Sequence, residues 1–290
     1  AANLKRSVRR MQLTYNKRTA LRITRALRCS RCQSFSSFRT TDLIPPKRGD
    51  RKHWSSKMID FTRFGLVAEK DKMRPLDVAV DRPERRLRMR SAFNTVYANK
   101  TALPKGSFIN LGDGIAMSCP ELLFAEMAQF MNPVERLMLG HELCGSYSRD
   151  PDDPYNKNVT FGIEPVTSAE RIRAYCARAL WLRDATRPSS PLPLLADNAW
   201  SPTESLIAAL ISSPFVEFGY GIGPCVLNER ISTPENLSWT TEKSSRVPDI
   251  LIAGTNIGLN YDGAVHLDLE SVIDAAINLE RNPGMLASQE

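Results

Sequence analysis

The chain has 290 residues, 42% of them hydrophobic, which leaves room for two domains of ordinary globular composition; no apolar run approaches the roughly 18 residues of a membrane span. Its formal charge of +7 is unevenly placed: residues 1–57 hold 16 Lys or Arg against 2 acids, residues 58–195 hold 19 against 17, and residues 196–290 hold 4 against 13. A phosphate-binding surface is therefore expected at the front of the chain and not at its acidic rear.

The chain opens on Ala rather than Met, as expected of a fragment or a processed product. From Thr14 to Arg28, helical spacing places Ala20, Ile23 and Leu27 on one face, with Lys17, Arg18, Arg22, Arg25 and Arg28 around them. Two outcomes fit this basic helix: its cations dock on nucleic-acid phosphates, or it packs against the next domain with a solvated face outward. Residues 33–57, rich in Ser, Pro, Lys and Arg, read as a linker in which His53 and Trp54 form a surface or packing pair. The six cysteines form no dense frame, so a reduced, cytoplasmic compartment is expected. Cys29 and Cys32 make a C-x-x-C pair, but no second pair or nearby His completes a zinc site, and two ordinary thiols explain them.

Leu76–Val80 and the segment through Phe93 and Tyr97 read as strands joined by polar turns. Between them Arg82, Arg85, Arg86, Arg88 and Arg90 make a second basic cluster, diluted by Asp81 and Glu84 as in a solvated hairpin. Ser118-Cys-Pro-Glu121 and Thr167-Ser-Ala-Glu170 have the spacing of capping boxes, the second opening a helix to about Asp184. Asn132-Pro133 opens another helix, which Gly145 ends; His141 within it is expected to be packed rather than catalytic. The segment Leu103, Pro104, Gly106, Ser107, Phe108 followed by Gly114, Ile115, Ser118, Pro120 and Glu121 resembles the central part of bacterial AbiEi-type antitoxins of type IV toxin-antitoxin systems, over roughly residues 14–145. That resemblance implies a DNA-binding front, with a cognate toxin or its operator as partner.

After the Pro-rich linker at 188–193, Ser201-Pro-Thr-Glu204 opens a helix through Leu206–Ile211, and the glycines of 219–223 give a turn before Val226-Leu227. Two apolar runs, Ile250–Ala253 and Ile257–Leu259, flank Gly254-Thr255-Asn256 as in a hairpin. Asp249 enters the first strand, and Asn260, Asp262 and His266 leave the second. Carboxylates at neighbouring strand ends can hold a hard divalent cation, whereas Asp262-Gly263 also suits a tight turn and Pro248-Asp249 a strand opening.

The order Pro248-Asp249, strand, turn, strand, Tyr261-Asp262-Gly263, His266 resembles the core of the PD-(D/E)XK nucleases, in particular the branch similar to very-short-patch-repair endonucleases. Asn260 stands where that family carries Glu, and no Lys occupies its E-x-K position. The resemblance implies an endonuclease that hydrolyses DNA phosphodiesters with Mg²⁺. Asp249, Asp262 and Glu204 would hold the metal, and His266 would protonate the leaving oxygen or orient the water. Glu204 is equally explained as the third residue of a capping box. The family core continues beyond the D-G-x-x-H segment with a helix and further strand, so an incomplete nuclease-like region is expected here. The expectation is thus an α/β protein with a basic arm and linker at 1–57, an antitoxin-like domain at 58–187 and a nuclease-like domain at 196–290. Its function is either metal-dependent DNA cleavage or, with the neutral amide of Asn260 weakening the metal site, DNA-binding regulation on a nuclease scaffold.

Overall fold

A computed structural model describes residues 12–30, 34–46, 62–64, 66, 76–88, 92–97, 103–155, 158–179, 191–217, 219–232 and 244–261. Cys32, His53, Trp54, Arg90, Asp262 and His266 lie outside the described residues. Among those described, five α-helices and a mixed six-stranded sheet make the fold α/β.

Leu13, Thr14 and Tyr15 are fully buried and form β1 (Leu13–Tyr15), followed at once by α1 (Lys17–Ser30). With β2 (Thr40–Thr41), β3 (Leu76–Val80), β4 (Ala92–Val96), β5 (Phe108–Gly112) and β6 (Ile115–Ser118), β1 builds one sheet in the order β2-β5-β6-β1-β3-β4. Strand β1 lies inside it, parallel to β6 and antiparallel to β3. Within the segment that composition assigned to an arm, residues 13–30 are therefore a central strand and the helix that covers it. Each apolar side chain buried there stabilises the fold by about 1.5–3 kcal/mol, so deleting residues 1–57 would remove core rather than a peripheral tail.

The remaining helices of the front are α2 (Pro120–Glu126), α3 (Pro133–Cys144) and α4 (Ala169–Arg178); the hairpin β7 (Tyr147–Arg149) and β8 (Val159–Phe161) stands between the last two. Two of the expected caps shift by one residue. Pro120 at the first helical position leaves Cys119 as the N-cap of α2, and its Sγ accepts from the Leu122 amide at 3.5 Å. Ser118 instead ends β6. Likewise Ser168 caps α4, while the Thr167 hydroxyl donates to Glu121 Oε1 at 2.6 Å. For α3 the expected capping box is complete, with Asn132 and Glu135 bonded reciprocally.

The chain then passes Ala199 closely. Ser146 N donates to Ala199 O at 2.8 Å, and a Cβ on Gly145 would stand 2.3 Å from that same carbonyl. Because the obstruction is backbone, Gly145→Ala is expected to destabilise the fold by about 1–3 kcal/mol, read as a lower midpoint in urea unfolding.

Helix α5 (Pro202–Ser212) packs on α3 and on a small antiparallel sheet of β9 (Cys225–Leu227), β12 (Ile250–Ile252) and β13 (Gly258–Leu259), in the order β13-β12-β9. Two-residue strands β10 (Ile231–Ser232) and β11 (Ser245–Arg246) pair beside it. Tyr147, Ala199, Ala208, Leu227, Ile250 and Ile252 bury a second, smaller apolar cluster. No helix among the described residues is long and apolar enough to cross a membrane.

Candidate functional site

Strand register brings the rear candidates to one end of the small sheet. Ile250 pairs with Leu227 on one side and Leu259 on the other, which sets Asn228, Asp249 and Asn260 in a row across the three strand ends. The row is hydrogen-bonded throughout. Asn228 N donates to Asp249 O at 3.1 Å, Asp249 N donates to Asn260 Oδ1 at 3.3 Å, and Tyr261 N donates to Asp249 Oδ2 at 2.6 Å. Gly258 permits this closure, because a Cβ there would meet the buried Pro248 Cβ at 3.0 Å.

Glu204 reaches the same end from α5. Its Oε2 accepts from Asn228 Nδ2 at 2.8 Å and from Trp200 N at 2.9 Å, while its own amide donates to Ser201 Oγ at 3.2 Å. The carboxylate thus closes the first turn of α5 and also reaches the end of β9, so the capping explanation and placement beside the strand ends hold together. Glu204 and Asn228 are buried, Asp249 is half-buried, and Asn260 and Tyr261 are exposed. Asn228 has the left-handed φ of 49°, which Asn tolerates better than most residues, and its Oδ1 is buried without a hydrogen-bond partner. Sequence reasoning passed over this residue: an Asn after a three-residue strand carries no signal until register sets it opposite Asp249.

The oxygens assembled here suit a hard divalent cation in kind, since such ions take carboxylate and amide oxygens. The buried, unbonded Asn228 Oδ1, on the amide whose Nδ2 meets Glu204, is the observation that favours the fit. Among the described residues, however, no three of His, Cys, Asp and Glu gather in one group. Asp262 and His266, the remaining members of the expected set, lie outside the described residues.

The cations of α1 turn inward. Arg25 donates from Nε and Nη2 to the two Glu142 oxygens at 2.8 and 2.7 Å, and both side chains are buried. Burial opposes the charge on Arg25, but Glu142 outweighs it and holds the guanidinium pKa above its ordinary value. Arg28 donates to the carbonyls of Glu142, Gly145 and Glu164 at 2.8–3.1 Å, and burial draws its pKa down. Arg22 pairs with Asp152 at 2.6 Å, and Arg18 makes a two-pronged pair with the buried Asp77 at 2.8 and 3.0 Å. Lys17 Nζ donates to Gln129 Oε1 at 3.2 Å. Of the two outcomes the sequence allowed, the packed one describes Arg25 and Arg28; only the amino-terminal end of α1, at Lys17 and Arg18, keeps cationic surface.

Other candidates are structural. His141 is buried in α3, and burial pushes its pKa down to about 4. Cys29 is half-buried with Sγ 3.8 Å from Arg149 O, and Cys119, Cys144, Cys176 and Cys225 are buried free thiols. Comparison with family models, with curated proteins and with solved structures finds no match to this chain.

Proposed function

We propose that the chain acts on DNA, and that α5 with the β9-β12-β13 sheet is the metal-binding part of a PD-(D/E)XK-like endonuclease. The observation that supports this most is the convergence of Glu204, Asn228, Asp249 and Asn260 on one sheet end, from helix α5, from β9 and from the β12-β13 hairpin. Asp249 is the principal metal ligand, Glu204 the buried second carboxylate, and Asp262 the third in the resembled motif. A bound Mg²⁺ would supply charge neutralisation at the phosphodiester and a more acidic water. The protein's part is to hold Asp249 in place, which the Asn260 amide and the Tyr261 N–H do from either side of the carboxylate-bearing residue. His266 is the proton donor to the leaving oxygen in this reading.

Titration with Mn²⁺ or Mg²⁺ by calorimetry tests the site apart from turnover. Asp249→Asn is expected to weaken metal affinity at least about tenfold, because it removes a full ligand charge while keeping an oxygen that can accept from Tyr261 N. Metal binding unchanged in that variant would refute the ligand assignment.

A second reading, a DNA-binding regulator on a nuclease scaffold, draws support from Asn260. Its only amide oxygen already accepts from the Asp249 backbone, so it serves hairpin closure. Asn260→Glu distinguishes the two: gain of metal affinity belongs to the enzyme reading, and loss of stability without that gain belongs to the regulator.

A further inference from the structure

We propose that the amino-terminal end of α1 and its neighbours form a stacking platform for single-stranded nucleic acid, separate from the carboxylate end of the rear sheet. Phe93 on the edge strand β4 and Phe130 after α2 are 55% and 40% exposed, and the Arg18 guanidinium lies over both rings, 5.4 and 4.4 Å from their centroids. Arg18 is held there by the two-pronged pair with Asp77, which is itself buried in β3 directly opposite Phe93. The guanidinium plane is therefore fixed against the two rings before any ligand arrives, and ordering Arg18 costs the complex little.

The platform continues on both sides. Beyond Phe93, Asn94 clamps the Leu87 backbone at 2.7 and 3.1 Å, which sets the exposed Arg86 and Arg88 along the same sheet edge. Beyond Phe130 lies a cavity of about 240 Å³ floored by Met131, Met138 and Leu139, with Tyr155, 88% exposed, and the half-buried Arg149 on its wall. Arg86 and Arg88 make no salt bridge among the described residues, whereas the Arg149 charge already faces Glu142. Aromatic faces and an arginine plane interleaved with unpaired cations match the bases and phosphates of an unpaired strand. A duplex hides its base faces and offers the rings nothing. An acidic peptide would use the cations but leave Phe93 and Phe130 without a stacking partner.

The test is fluorescence anisotropy of the full chain with a labelled, mixed-sequence single strand of about 12 nucleotides and with the same sequence as duplex, in EDTA across a salt series. Phe93→Ala/Phe130→Ala is expected to lower single-strand affinity about tenfold or more with the salt slope unchanged, and duplex affinity less than about twofold. Phe93→Trp/Phe130→Trp is expected to keep single-strand binding, and Arg86→Ala/Arg88→Ala to reduce the salt slope. Both rings are exposed, so none of these changes removes core, and matching melting temperatures confirm it. Single-strand affinity unmoved by the double alanine variant, or displaced as well by polyglutamate as by unlabelled oligonucleotide, would overturn the proposal. No cleavage enters the readout, so an inactive Asp249 site leaves this result intact, and the reverse holds too.

Discussion

Glu142→Ala is expected to lower stability by about 3–5 kcal/mol, a fall in melting temperature on the order of 10 °C for a chain of this size. Glu142 accepts from Arg25 Nε and Nη2 and from the Arg149 amide at 3.0 Å, and its backbone carbonyl accepts from Arg28. Burial alone would raise its pKa; Arg25 and Arg149 overcome that and leave it lowered. Removing the carboxylate strands the buried Arg25 charge, and that uncompensated charge is what makes the change costly. Replacing both partners with apolar residues, Arg25→Met with Glu142→Leu, is expected to recover much of the loss, since no buried charge then remains. Thermal unfolding of the three variants followed by circular dichroism decides it. A double variant no better than Glu142→Ala alone would show that hydrogen bonds to Ser148 and Arg149, not the stranded charge, dominate.

The second large effect is acid sensitivity centred on His141. Burial holds its folded-state pKa at about 4, while the unfolded chain titrates near 6.5, so the unfolded state binds the extra proton first as pH falls. Its contribution is fully present above about pH 6.5 and is lost through pH 4, by up to about 3 kcal/mol at roughly 1.4 kcal/mol per pH unit. His141→Gln stays neutral throughout. Wild-type stability relative to that variant is therefore expected to drop between pH 7 and 4 in urea titrations. A constant gap between the two proteins across this range would show that His141 is already able to take its proton inside the fold.

These two residues also mark where the sequence was readable. The capping box at Asn132 and Glu135 and the hairpin at Gly254 could be read from local chemistry because both ends of each interaction lie within a few residues. The partners of α1 could not. Asp77, Glu142 and Asp152 sit 59 to 130 residues from the arginines they bind, and a basic helix looks the same in sequence whether its acids are phosphates outside or carboxylates inside. Composition misled in the same way at β1, where three buried residues sit within the most basic stretch of the chain. At the rear, Asp249 and Asn260 were visible as strand ends, and Glu204 as a cap. That Asn228 joins Glu204 to the Asp249 backbone emerged only from the pairing of β9 with β12, because register is a property of two strands and not of either alone.

The most direct measurement of the central claim is nicking of supercoiled plasmid by the full chain with Mg²⁺ or Mn²⁺. Slow relaxation that stops with EDTA and with Asp249→Ala is the expected result, the rate kept low by the neutral amide at Asn260. Absence of metal-dependent nicking, or nicking undiminished by Asp249→Ala, would contradict the account.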